Sequence, residues 1–171
     1  MFLLIIKKIA LTSKYSMDIN DWLFKYILSL KIDKLFYWEA CLGKSVNRGN
    51  ESEIGIIKEI AQSDDDRPVL MLNLNKYKAE ANFPDGQLYR DYMRVLGDLL
   101  PTVGGRIIWR STSYGRPIGE QDIDEVLAAW YPSHQAFLDL SSVSGSDENF
   151  RLRKLSVKSS VIHRCDGEAF L

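Results

Sequence analysis

Asn73 stands in the middle of VLMLNLNKY (69–77), a run otherwise rich in strand-forming residues. An amide is disfavoured there unless something pairs with it. It can bridge the scaffold, or it can hold a ligand carbonyl or oxyanion, as preorganised donors do in many sites. His163 lies in SSVIHRC (159–165), on one side of its strand with Val161 and Cys165. A lone strand histidine often serves the scaffold, yet His163 is the best candidate general base because imidazole titrates near neutrality. Arg153 can pair an anionic ligand, or tie its helix to an acidic neighbour such as Asp124. Trp109 offers core bulk or the wall of a site for a flat ligand. Tyr89 and Tyr92 are three apart and so neighbours on a helix surface, and the Tyr92 hydroxyl needs a partner if it lines a cleft. His134, after Pro132-Ser133, reads as a solvent-facing helix start.

Other chemistry finds little support. Gly43-Lys44-Ser45 imitates the end of a phosphate loop, but the required first glycine falls at Trp38. No H-E-x-x-H, C-x-x-C or G-x-S-x-G pattern occurs. Two histidines and two cysteines make a protein-only zinc site improbable. Asp64-Asp65-Asp66 lacks the spacing and glycine of a calcium loop and reads as a solvated turn. None of these patterns calls for a cofactor.

The candidates need elements to position them. Ile54, Ile57 and Ala61 suggest a short helix, and Pro68 opens the first strand at 69–77. Asp85 can cap a helix in which Leu88, Tyr92, Val95, Leu96 and Leu99 recur on one face. Pro101 and Gly104-Gly105 stop it. RIIWRSTS (106–113) is a second strand and Glu125–Tyr131 a third. Pro132-Ser133 opens a helix through Phe137 and Leu140, another carries Phe150, Leu152 and Leu155, and 160–165 closes as a fourth strand. The order is β-α-β-β-α-β, the ferredoxin-like arrangement of an α+β fold with an antiparallel sheet. In the first strand Leu70, Leu72 and Leu74 point to one side, Val69, Met71, Asn73, Asn75 and Tyr77 to the other. Both sides are too apolar to face water, so two sheets packed face to face in a homodimer are expected.

Taken in order, PVLMLNLNKYK (68–78), Tyr89/Tyr92, GGRIIWR (104–110), PIGE (117–120), DEVLAAWYPSHQAFLDL (124–140), Arg153 and SSVIHRCD (159–166) carry a resemblance. Over about residues 51–167 the chain resembles a family of small dimeric α+β-barrel proteins of uncharacterised function. The resemblance implies a homodimer whose sheets form a barrel, with a cleft between each sheet and its helices. Cofactor-independent monooxygenases, haem-degrading enzymes, lactone isomerases and stress-response proteins belong to the wider superfamily. Chemistry therefore does not follow from fold.

Composition bounds the rest. The 171 residues are 46% apolar and 26% charged with net charge −1, which is globular and gives no pull toward nucleic acid. Residues 1–50 hold eight Lys/Arg and four Asp/Glu, whereas residues 51–171 hold 14 and 19, a shift from +4 to −5. The polar stretch Ser45–Glu53 marks the boundary, so the expected organisation is a helical N-terminal extension (1–50) and a barrel domain (51–171). In the extension Trp22, Phe36 and Trp38 are expected to dock, or the whole can form a basic membrane-binding arm; docking is favoured, without stable membrane association. The lysines at 7 and 8 follow rather than precede the apolar run 2–6, the reverse of a secretory signal. A cytoplasmic location with Cys41 and Cys165 reduced is expected. The functional expectation is a homodimer binding a small organic ligand, aromatic or anionic, through Asn73, Tyr92, Trp109 and Arg153. The alternative is a cofactor-independent enzyme, monooxygenase- or isomerase-like, with His163 moving a proton in the same cleft.

Overall fold

The computed structural model describes residues 50–170, and the features expected within residues 1–49 lie outside them. Helix α1 (Glu51–Ala61) starts where the Asn50 side chain accepts a hydrogen bond from the Glu53 N–H. Glu51 and Glu53 in its first turn and Lys58 in its last complement the helix dipole. Strand β1 (Val69–Tyr77) follows, then a short 3-10 turn at Ala79–Ala81 and helix α2 (Gln87–Leu99). Strands β2 (Arg106–Thr112) and β3 (Glu125–Tyr131) come next along the chain. Helices α3 (His134–Asp139) and α4 (Ser146–Ser156) then lead into β4 (Val157–Asp166). Among the described residues no helix is long and apolar enough to cross a membrane.

The four strands form one sheet in the order β2-β3-β1-β4, every neighbouring pair antiparallel. Alternation along β1 and β3 divides the sheet into two faces. Val69, Met71, Tyr77, Leu127, Ala129 and Tyr131 join α2, α3 and α4 in the main core. Leu70, Ala128 and Trp130 form a smaller cluster on the opposite face, with Leu72, Ile108 and Cys165 against it. No described helix covers that second face. A register shift between Ile107 and Trp109 makes Ile108 an extra residue opposite β3. The consequence is large. Ile107 faces the helices, but Trp109 pairs with Ala128 on the open face, and Arg110 pairs with Leu127 on the helical side.

Gly86, not Asp85, is the residue at the α2 N-cap, and it caps without a side-chain bond. A Cβ at position 86 would stand 2.0 Å from the Ala81 carbonyl oxygen, so only glycine fits this close turn. The buried stripe of α2 is Tyr89, Tyr92, Met93, Leu96 and Leu99; Leu88 and Val95 pack at its margins.

Asp66 is not part of a solvated turn. Its side chain is 14% exposed and accepts the His134 and Gln135 backbone N–H groups at 2.7 and 3.1 Å. His134 in turn is buried, 6% exposed, with Nδ1 2.9 Å from Asp66 Oδ1. The solvent-facing expectation fails because two donors of α3 lack partners within their own helix, and Asp66 supplies them. Burial works against the Asp66 charge, but these backbone donors and His134 outweigh it and hold its pKa below 3.8. The Asp66 contribution to stability is therefore present above pH 3.8 and lost as pH falls through the lower folded value. Asp66→Ala is expected to cost about 1–2 kcal/mol at neutral pH. Denaturant unfolding of both proteins checks this; the gap should narrow below the ordinary carboxylate range, and a constant gap would contradict it.

Candidate functional site

The helical face of the sheet carries more polar chemistry than a packed layer requires. Glu125 opens β3 at a position whose parity points inward, and it is 2% exposed. Its Oε2 accepts a hydrogen bond from the Tyr77 hydroxyl and its Oε1 one from the Tyr89 hydroxyl, both at 2.5 Å. Tyr77 and Tyr89 meet edge to face, and Phe83 stacks on Tyr77 with centroids 4.9 Å apart. This aromatic packing fixes the ring orientations that aim both hydroxyls at one carboxylate. Arg110 donates to the Tyr89 hydroxyl oxygen at 3.1 Å, a contact that exists because the Ile108 bulge turns Arg110 inward.

One turn further along α2, the Tyr92 hydroxyl accepts a hydrogen bond from Arg153 of α4 at 2.9 Å. Burial opposes the charge on Arg153, but attraction and hydrogen bonding from Tyr92 prevail and raise its pKa. Burial, reinforced by Glu125, pushes the Tyr77 and Tyr89 hydroxyls well above the ordinary phenol value of 10. Both phenols therefore act as donors at neutral pH. Their favourable contribution to stability is complete below pH 10 and declines as pH rises beyond it.

Asn73 lies on the same face. Its Nδ2 donates to the Met71 carbonyl at 2.9 Å and the Leu127 carbonyl at 3.5 Å, while no described residue donates to its Oδ1. Asn75, two residues on, accepts from the Ser160 hydroxyl at 2.7 Å. The expected Arg153–Asp124 tie is not made. Asp124 instead binds Lys76 Nζ at 2.8 Å and the Tyr77 N–H at 2.8 Å, closing the end of β1.

Of the residues singled out from the sequence, Asn73, Tyr92 and Arg153 share the helical face, and Tyr92 touches Arg153. Trp109 and His163 lie on the open face, at its two edges. The pairs Trp109–Ala128, Ala128–Leu72 and Leu72–His163 run straight across the sheet. Three strand spacings separate Trp109 from His163, roughly 14 Å. One cleft of a single chain therefore does not gather all five. Glu125, Tyr77 and Arg110 were not singled out from the sequence. Glu125 could have been found by parity, since it alternates in phase with Leu127, Ala129 and Tyr131.

Access is at the sheet edge. A groove of about 530 Å³ opens between α2 and β2, lined by Pro84, Tyr89, Arg90, Met93, Arg94, Ile107 and Arg110. The Tyr89 ring forms part of its wall, and Glu125 is hydrogen-bonded to the hydroxyl of that ring. Such an arrangement can seat a small molecule against aromatic and guanidinium surfaces and present it with fixed hydrogen bonds.

No family model and no curated protein matches the chain. Solved structures do. The crystal structure of methylated RPA0582 protein is similar with a TM-score of 0.56 and 26% identity, covering 71% of this chain and 93% of that one. A crystal structure of RPA0582 from Rhodopseudomonas palustris, a structural genomics target of unknown function, gives 0.56 and 25%, covering 70% and 94%. The neighbours are thus proteins of unknown function, and the likeness spans nearly all of their length.

Proposed function

We propose that the chain is a homodimer of ferredoxin-like βαββαβ units whose sheet–helix cleft binds a small organic ligand, aromatic or anionic. One observation carries the reading. Glu125, Tyr77, Tyr89, Tyr92, Arg153 and Asn73 occupy a layer that packing alone would fill with hydrocarbon, and a groove runs beside Tyr89. Buried polar groups next to an opening are the ordinary signature of a ligand site. Asn73 contributes its unpaired Oδ1, Tyr92 and Arg153 a phenol and a charge. The strand order supports the topology, because β1 and β2 flank β3 as a split βαβ unit requires. The open face supports the dimer. Trp109 and Val161 are each 44% exposed there, and a second copy would cover them. Trp109 and His163 then belong to the dimer face.

A second reading is a cofactor-independent enzyme, monooxygenase- or isomerase-like. Glu125 favours it, since a buried carboxylate tied to a phenol at the groove wall can take part in proton transfer.

A thermal-shift screen of small aromatic acids and amides tests the ligand reading. At least one compound is expected to raise Tm by a few degrees, as ligands of the native state do. Asn73→Ala should remove more than half of that gain. A fall in stability of about 1–3 kcal/mol with the gain unchanged would return Asn73 to the scaffold. A screen in which nothing shifts Tm would overturn the reading.

A further inference from the structure

We propose that the groove between α2 and β2 is an oxyanion site, taking a small organic anion. Its carboxylate or phosphate head would meet Arg90, Arg94 and Arg110, and its apolar body would lie on Met93 and Ile107. The inference deepens the ligand reading above and rests on it.

Three of the seven residues lining the groove are arginines and none is acidic, on a stretch, 51–171, whose net charge is −5. Guanidinium groups gathered without counter-charges repel one another, and an anion relieves that cost. The partners of these arginines are neutral or weak. Arg90 donates to the Asp85 backbone carbonyl and to Gln87 Oε1 at 3.1 Å. Arg110 donates to the Tyr89 hydroxyl oxygen. Arg94 has Asp98 at 3.7 Å, both side chains largely exposed so that water screens the pair, and it also attracts Glu148, which Arg151 holds at 2.7 Å. Most guanidinium N–H groups therefore remain free to donate. Their planar forks match carboxylate and phosphate oxygens two at a time.

Geometry adds to charge. Arg90 and Arg94 are four apart on α2 and so lie on one face of the helix, while Arg110 comes from the opposite wall on β2. A head between the walls would be clamped from both. The volume suits a molecule of drug-fragment size or somewhat larger. Glu125 lies behind Tyr89, and its two oxygens are already shared by Tyr77 and Tyr89 in the interior.

Isothermal titration of the full chain with phenyl phosphate, benzoate, benzamide and inorganic phosphate tests this. Both organic anions are expected to bind, with benzamide at least about tenfold weaker, and raised salt should weaken the anions alone. Arg90→Gln with Arg94→Gln should weaken the anions by about tenfold with Tm unchanged, since both residues are exposed. Benzamide binding as well as benzoate, indifferent to salt and to the double variant, would overturn the oxyanion site while leaving the ligand reading standing. Inorganic phosphate binding as well as phenyl phosphate would overturn the organic body. If none of the four binds, the oxyanion site falls, and the thermal-shift screen separately decides the ligand reading.

Discussion

Glu125→Ala is expected to destabilise the protein by about 3–5 kcal/mol. The carboxylate accepts from two buried phenols. Truncation strands both hydroxyls at about 1–3 kcal/mol each and leaves a cavity besides. Against a typical domain stability of about 5–15 kcal/mol, such a loss brings the fold close to its limit. Glu125→Gln keeps the shape and one acceptor oxygen, but points an amide donor at a phenol that is itself a donor. It should cost less, about 1–2 kcal/mol. Urea unfolding of the two variants beside the parent measures both. A cost below about 1 kcal/mol for Glu125→Ala would mean that the carboxylate is not held as described.

Leu72→Asp is expected to turn a dimer into a monomer. Leu72 sits at the centre of the open face, between Ala128 and His163 in the row that crosses the sheet. A charge there would have to be desolvated in any face-to-face packing. A central apolar anchor of this kind is worth about 2–4 kcal/mol, so dimer affinity should fall by roughly thirtyfold to a thousandfold. Light scattering should give about twice 19.6 kDa for the parent and a single chain mass for the variant at micromolar concentration. A parent chain that already runs as a monomer would contradict the dimer.

What the sequence could reveal follows from how local each feature is. Strand β3 runs from Glu125 to Tyr131, as its β-branched and aromatic composition and bounding turns imply. Strand β1 is equally plain, and its alternation separates Leu70 and Leu72 from Met71 and Asn73 just as the two clusters do. Trp109 and Arg110 were not legible. Counting by twos from Ile107 places Trp109 with the helices, and only the bulge at Ile108 reverses that. Nothing in RIIWRST announces an extra residue. The end of α2 nearest the site misled in another way: Asp85 has the chemistry of a cap, but the crowding around Ala81 demands Gly86 there. Asp66 and His134 are 68 residues apart, so their pairing depends on tertiary placement that no local pattern encodes. Glu125 was legible in principle. A carboxylate in phase with Leu127 and Ala129 must be buried, and a buried carboxylate must find donors.

The most direct test of the ligand account is a heteronuclear NMR titration of the full chain with the compound that gives the largest thermal shift. The groove and the cluster behind it predict the response. Signals of the Met93 methyl, the Tyr89 ring and the Arg110 side chain should move together and saturate, with Arg153 responding through Tyr92. Shifts confined to the Trp109 indole and the His163 ring would place the ligand on the open face and contradict the account.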